Sequence, residues 1–121
     1  MDQDALVIDA QALTSSLDKT AIKPKGVLWV NLPERANGRL WVIPDKEIDK
    51  REFYTVVAST ISDTGLLNLD AGMIELVDID RARRIGLDSI PTAIGIGRTI
   101  LNPEYVNGAM LPDGIVIRMN I

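Results

Sequence analysis

Two aspartates separated by one residue, Asp78 and Asp80, are followed at once by Arg81, Arg83 and Arg84. On a strand, where side chains alternate between faces, the two carboxylates share a face and could hold Mg²⁺ or raise one another's pKa. The competing reading is a strand with a solvated face that ends at Asp80, which then caps a turn. It is preferred because no third carboxylate is tied to the pair by spacing. The guanidinium cluster could receive a carboxylate, a phosphate or a partner's acidic surface. Asp78, Asp80 and Asp88 are also near enough in sequence to absorb those charges as ordinary surface ion pairs. Arg98 lies in Gly95-Ile96-Gly97-Arg98-Thr99, which looks like an anion cradle but lacks the third glycine of a dinucleotide fingerprint, the Lys-Ser/Thr of a P-loop and a following helix. A glycine-containing strand or bulge is the simpler account. Asp78, Asp80, Arg81, Arg84 and Arg98 form the candidate ligand-binding set.

Other chemistry is narrowed by what is missing. The chain has neither cysteine nor histidine, which removes disulfides, thiolate nucleophiles, Ser-His-Asp triads and ordinary catalytic zinc sites. The serines at 15, 16, 59, 62 and 89 have no visible base or elbow motif. Residues 44–50, PDKEIDK, hold the residue types of metal-dependent nucleases but read as the polar lead-in to a helix rather than converging strands. No catalytic residue, metal or cofactor is assigned.

The elements that must position these residues follow from periodicity. Leu6, Ala10, Leu13 and Leu17 draw one apolar stripe along a helix from Asp4 to Asp18, which could equally be an arm that orders on a partner. Lys23-Pro24-Lys25-Gly26 breaks it. Val27–Leu32 and Leu40–Ile43 flank Asn37-Gly38, the strongest short hairpin signal. With those two as the turn, Leu32 faces Ile43 and Pro33 faces Val42. Asp49-Lys50-Arg51-Glu52 matches a capping box, and Phe53, Val56, Val57 and Ile61 continue at helical spacing, so a helix is placed at 50–63 with Gly65 as its stop. Short strands are expected at 66–69, 73–79, 92–100 and 115–121.

The 121 residues are 46% hydrophobic but only 4% aromatic, with a net charge of −4. One aliphatic core of ordinary domain size is implied, while nucleic-acid binding and attraction to anionic membranes are disfavoured. No run approaches a membrane span, and the acidic N-terminus does not resemble a cleavable signal. A cytoplasmic location, or a virion if the source is viral, is expected.

The fold expected is α+β and β-rich. Residues 1–22 are an N-terminal arm or helix, and 23–121 a single domain with a small antiparallel sheet or partly open barrel around one central helix. Ile115, Ile117, Met119 and Ile121 alternate with Val116, Arg118 and Asn120 in a terminal apolar strand that must be covered, by its own sheet or by a neighbour. Together with Leu6, Leu13 and Leu17 they are the candidate assembly interface. The leading expectation is a non-enzymatic structural or assembly protein that self-associates or joins a larger complex, a virion or phage particle among them. The alternatives are a ligand-binding module or carboxylate-dependent enzyme using the aspartate–arginine set, and an acidic adaptor or inhibitor presenting Asp45, Glu47, Asp49 and Glu52.

Overall fold

A computed structural model describes residues 3–31, 38–101, 104–106, 109–111 and 113–121. In chain order the elements are α1 (Gln3–Leu17), β1 (Pro24–Asn31), β2 (Arg39–Pro44), α2 (Lys50–Thr64), β3 (Ile74–Leu76), α3 (Ile79–Arg84), β4 (Thr99–Leu101), β5 (Glu104–Val106), β6 (Ala109–Leu111) and β7 (Asp113–Met119). Five strands form one open sheet in the order β3-β2-β1-β7-β4, and β5 and β6 pair separately. The fold is a small α+β domain, as the pattern of elements implied.

The sheet is buried on both faces. Val27, Trp29, Leu40, Val42, Ile115 and Ile117 join Leu6, Val7, Ala10, Leu13 and Leu17 of α1 and Phe53 and Val57 of α2. Leu28, Val30, Trp41, Ile43, Val116 and Met119 join Val77, Ala82, Leu87, Ile90, Leu101 and Leu111 on the other side. This explains why β1 and β2 read as continuous apolar runs instead of alternating ones. The two Leu-Trp-Val triplets, 28–30 and 40–42, lie antiparallel, Leu28 opposite Trp41 and Trp29 opposite Leu40, which puts the two tryptophans on opposite faces.

The hairpin forms, but not in the register a two-residue turn would set. Ile43 faces Gly26 and Val42 faces Val27; Leu32, Pro33 and Asn37 lie outside the described residues. A two-residue turn would have set Leu40 and Trp41 against Arg35 and Glu34, whereas the observed register pairs them with Trp29 and Leu28. Burial on both faces decides the register over local turn chemistry. Gly38 does adopt the positive φ, +64°, that the turn signal implied.

α2 matches its sequence signals closely. The Asp49 carboxylate accepts from the Glu52 N–H at 3.3 Å, and Gly65 ends the helix in the left-handed conformation at φ +66°. The helix carries the chain across the sheet, so β3 returns parallel to β2 and the sheet is mixed, where an antiparallel one was expected. Residues 66–69 are not a strand: Leu69 plugs the helix-side core while Leu67 is exposed. Only Ile74–Leu76 of the expected 73–79 strand is strand, and 92–100 is reduced to an isolated bridge, Ala93 to Met119, and the start of β4.

β7 is hydrogen-bonded to β1 on one side and β4 on the other. A register shift opposite Val27/Leu28 interrupts its alternation. Ile115 and Ile117 therefore face the helices, while Met119 and Ile121 pack against the opposite cluster. The single stripe expected from 115 to 121 is thus divided by a bulge, which sequence alternation alone does not reveal. At Gly114 the strands approach so closely that a Cβ would overlap the Trp29 carbonyl oxygen.

α1 is fixed to β7 by a bidentate pair. Arg118 Nη1 and Nη2 donate to Asp18 Oδ1 at 2.6 Å and Oδ2 at 2.9 Å, and Nη1 also donates to the Pro24 carbonyl at 3.0 Å. The Asp18 hydrogen bonds raise the Arg118 pKa; burial opposes this and the Asp18 charge reinforces it.

Two stability outcomes are expected. Gly114→Ala forces β7 away from β1 and lowers stability by about 3 kcal/mol, seen as a lower thermal midpoint; an unchanged midpoint would contradict the close approach. Arg118→Ala costs about 1–2 kcal/mol. Because the Arg118 pKa is raised, the pair's contribution is fully present below the ordinary arginine range and is lost only as pH climbs through a still higher value. Denaturant titrations should therefore give the same penalty at about pH 7 and about pH 10.

Candidate functional site

β3 ends at Leu76, and the Val77 N–H still donates to the Val42 carbonyl at 3.0 Å, so Val77 closes the strand by entering the core. The next residue, Asp78, is in extended conformation and its carboxylate accepts from the Arg81 N–H at 2.7 Å, which caps α3. Asp80 lies in the first helical turn. The two aspartates therefore do not share a strand face; capping chemistry overrides the Asp-x-Asp alternation.

Within α3, Asp80 and Arg84 stand four residues apart with the acid nearer the N-terminus, the favourable order for neighbours on one helix face. They border a cleft of about 590 Å³ together with Asp78, Lys46 and Glu47, over apolar walls from Pro44, Ile48, Leu76 and Ile79. Three acids and two bases meet there. Arg81 turns away from the cleft, toward Glu75 at 3.3 Å, and its guanidinium carbon sits 6.0 Å from the centre of the Trp41 ring. Glu75 also lies 3.7 Å from Arg39. Arg98 is at the far edge of the sheet, paired with Asp4 of α1. Of the five candidate binding residues, Asp78, Asp80 and Arg84 are brought together, Arg81 is adjacent, and Arg98 is separate.

The glycines beside Arg98 do not serve close backbone approach, since a Cβ at Gly95 or Gly97 would meet nothing within 4 Å. The acidic run before α2 is also dispersed in role. Glu47 and Glu52 are exposed, Asp49 caps the helix, and one carboxylate oxygen of Asp45 is buried without a hydrogen bond. Among the described residues no three acidic side chains are grouped to hold a metal ion, and no helix is long and apolar enough to cross a membrane.

Leu6, Leu13, Leu17, Ile115, Ile117 and Met119 are all buried within the chain's own core, and Ile121 packs partly buried against it. The exposed apolar surface lies elsewhere, on residues the sequence reading passed over. Ala93 exchanges hydrogen bonds with Met119 at 2.7 and 2.9 Å, and the Gly97 N–H donates to the Ile117 carbonyl at 2.9 Å. Ile94-Gly95-Ile96 loops outward between these anchors. Ile94 is 67% exposed, Ile96 40% and Ile100 73%. Ile100 stands opposite Ile115, whose side chain belongs to the helix-side core, so Ile100 also lies on the helix side, beyond α1.

α1 adds to this surface. The Gln11 side chain donates to the Gly97 carbonyl at 3.0 Å, Asp4 pairs with Arg98, and Ile8, between them on the helix, is 61% exposed. The signal in the sequence was a set of isoleucines interleaved with glycine and arginine, Ile94, Ile96 and Ile100, which the reading of 92–100 as a strand left without a role.

At the opposite edge, β3 is guarded. Its Leu76 N–H donates to the Tyr54 hydroxyl at 3.3 Å, which occupies an outward donor that a further strand would need.

The chain matches no protein-family model, no curated protein and no solved structure.

The capping geometry yields a clean separation of charge from stability at the cleft. Asp78→Asn keeps a side-chain acceptor for the Arg81 N–H and leaves the folding free energy within about 0.5 kcal/mol of the original, whereas Asp78→Ala costs about 1 kcal/mol. Equal losses from both substitutions in a melting experiment would show that Asp78 is not acting as a cap.

Proposed function

We propose that this chain is a non-enzymatic structural or assembly protein that associates with copies of itself, using the β4 edge and the isoleucines beside it rather than its termini. The observation that carries this reading is the exposed set Ile8, Ile94, Ile96 and Ile100 beside an edge strand on which no other strand is paired among the described residues. Contiguous exposed apolar surface rimmed by polar groups is typical of interaction sites, and an unguarded strand edge is a template for another chain. Full burial of an isoleucine is worth about 1.5–3 kcal/mol. The loss of translational and rotational freedom on association costs about 4–15 kcal/mol. A small patch of this kind supports a weak pair that gains strength inside a larger assembly.

Light scattering on the eluate of a sizing column, over loads from about 10 μM to about 1 mM, tests the reading. The mass should rise above the 13.3 kDa of one chain with increasing load, and Ile100→Asp should hold it at the single-chain value. A wild-type chain that stays at the single-chain mass throughout would end the proposal.

A second reading, a small ligand-binding module, is favoured by the meeting of Asp78, Asp80 and Arg84 on one cleft. Amide chemical shifts followed during titration with Mg²⁺ and, separately, inorganic phosphate discriminate it. Shifts confined to residues 46–48 and 78–84 that disappear in Asp78→Asn or Arg84→Ala support a charged-ligand site. An unresponsive cleft up to about 10 mM of both probes would remove those two ligand classes.

A further inference from the structure

We infer, resting on the self-association proposed above, that two copies join edge to edge, β4 antiparallel to β4 across a two-fold axis at Ile100, so that the two five-stranded sheets become one. The argument begins with the two edges of the sheet. β3 offers an outward N–H that Tyr54 already occupies, and α3 begins two residues beyond the strand. β4 has neither obstacle among the described residues, so of the two edges it is the one we take to receive a further strand.

The occupant is a second copy because the edge complements itself. In an antiparallel pair centred on Ile100, Thr99 of each copy stands opposite Leu101 of the other, and the two Ile100 side chains meet directly on the helix side of the joined sheet. A two-fold contact brings identical charges together, which a chain of net charge −4 would resist if the patch were acidic. Along 94–100 the charge is balanced: Arg98 is paired with Asp4, and the other residues of that segment, all exposed, are uncharged.

The patch is small. The four isoleucines are 61%, 67%, 40% and 73% exposed, fewer than three fully exposed side chains per copy, against roughly 800 Å² per partner in a standard stable interface. The pair is therefore weak and concentration-dependent. A peptide or an unrelated protein would need to supply the same isoleucine-compatible edge, which a second copy supplies by symmetry.

The cysteine-free sequence makes the test direct. Paired residues in an antiparallel ladder have Cα atoms about 4.5–5.5 Å apart, within the roughly 4.4–6.8 Å that a disulfide spans. Full-length Ile100→Cys is oxidised over a concentration series, beside Leu67→Cys, which is 93% exposed and lies outside the β4 edge. Both sites are open, so neither substitution disturbs the core, and circular dichroism checks the fold. We expect Ile100→Cys to form a reducible covalent dimer at least tenfold faster than Leu67→Cys. If wild type gains mass in light scattering but the two variants cross-link equally slowly, edge pairing is overturned and self-association stands on another surface. If wild type remains a monomer throughout, both fail.

Discussion

The constraint on which the structure depends is that β1 and β7 run side by side in the middle of a sheet with no solvent on either face. Every side chain of Val27–Val30 is buried, so the backbone must find all its partners laterally, and β2, β7 and β4 provide them. The near-contact of Gly114 with the Trp29 carbonyl follows from packing two such strands between apolar layers. Because the middle of the molecule is fully committed, the clustered charges and the exposed apolar side chains lie at its perimeter. The mixed-charge cleft stands beside β3 and the isoleucine surface beside β4.

Much of this arrangement was legible from the residues, and the failures have specific causes. α1 and α2 could be placed within a residue or two because their signals are local: a four-three-four leucine stripe, an aspartate cap and a glycine stop. The hairpin could be recognised but its register could not, since Asn37-Gly38 is a local preference and burial of Trp41 against Leu28 is a global one. Asp78 and Asp80 were placed on a strand that instead ends at Leu76, with α3 beginning at Ile79. The division of Ile115 and Ile117 from Met119 depends on a bulge whose cause lies in the neighbouring strand. The exposed isoleucines were the hardest to anticipate, because nothing in an isoleucine's immediate sequence marks it as lying outside the core.

The two edges of the sheet differ in a way that bears on function more than any titratable group does. At β3 an aromatic hydroxyl from α2 caps an amide, a short helix closes the strand end, and Arg39, Glu75 and Arg81 surround it with charge. Along 94–101 the charge is confined to the Arg98–Asp4 pair, and Ile94, Ile96 and Ile100 are exposed. If the proposed pairing holds, guarding one edge while leaving the other apolar would restrict growth to a single direction and favour closed pairs over open-ended stacking.

The placement of Trp29 and Trp41 on opposite faces gives the molecule two built-in optical reporters. The Trp29 indole N–H donates to Asn31 at 3.2 Å, whereas the Trp41 N–H is buried without a hydrogen bond and its ring lies beneath the Arg81 guanidinium. Their emission arises from dissimilar surroundings, one tied to the α1–α2 layer and the other to the layer containing α3. Replacing either tryptophan singly leaves a reporter for the other's layer, and their relative timing during denaturation distinguishes loosening of one layer from collapse of the whole.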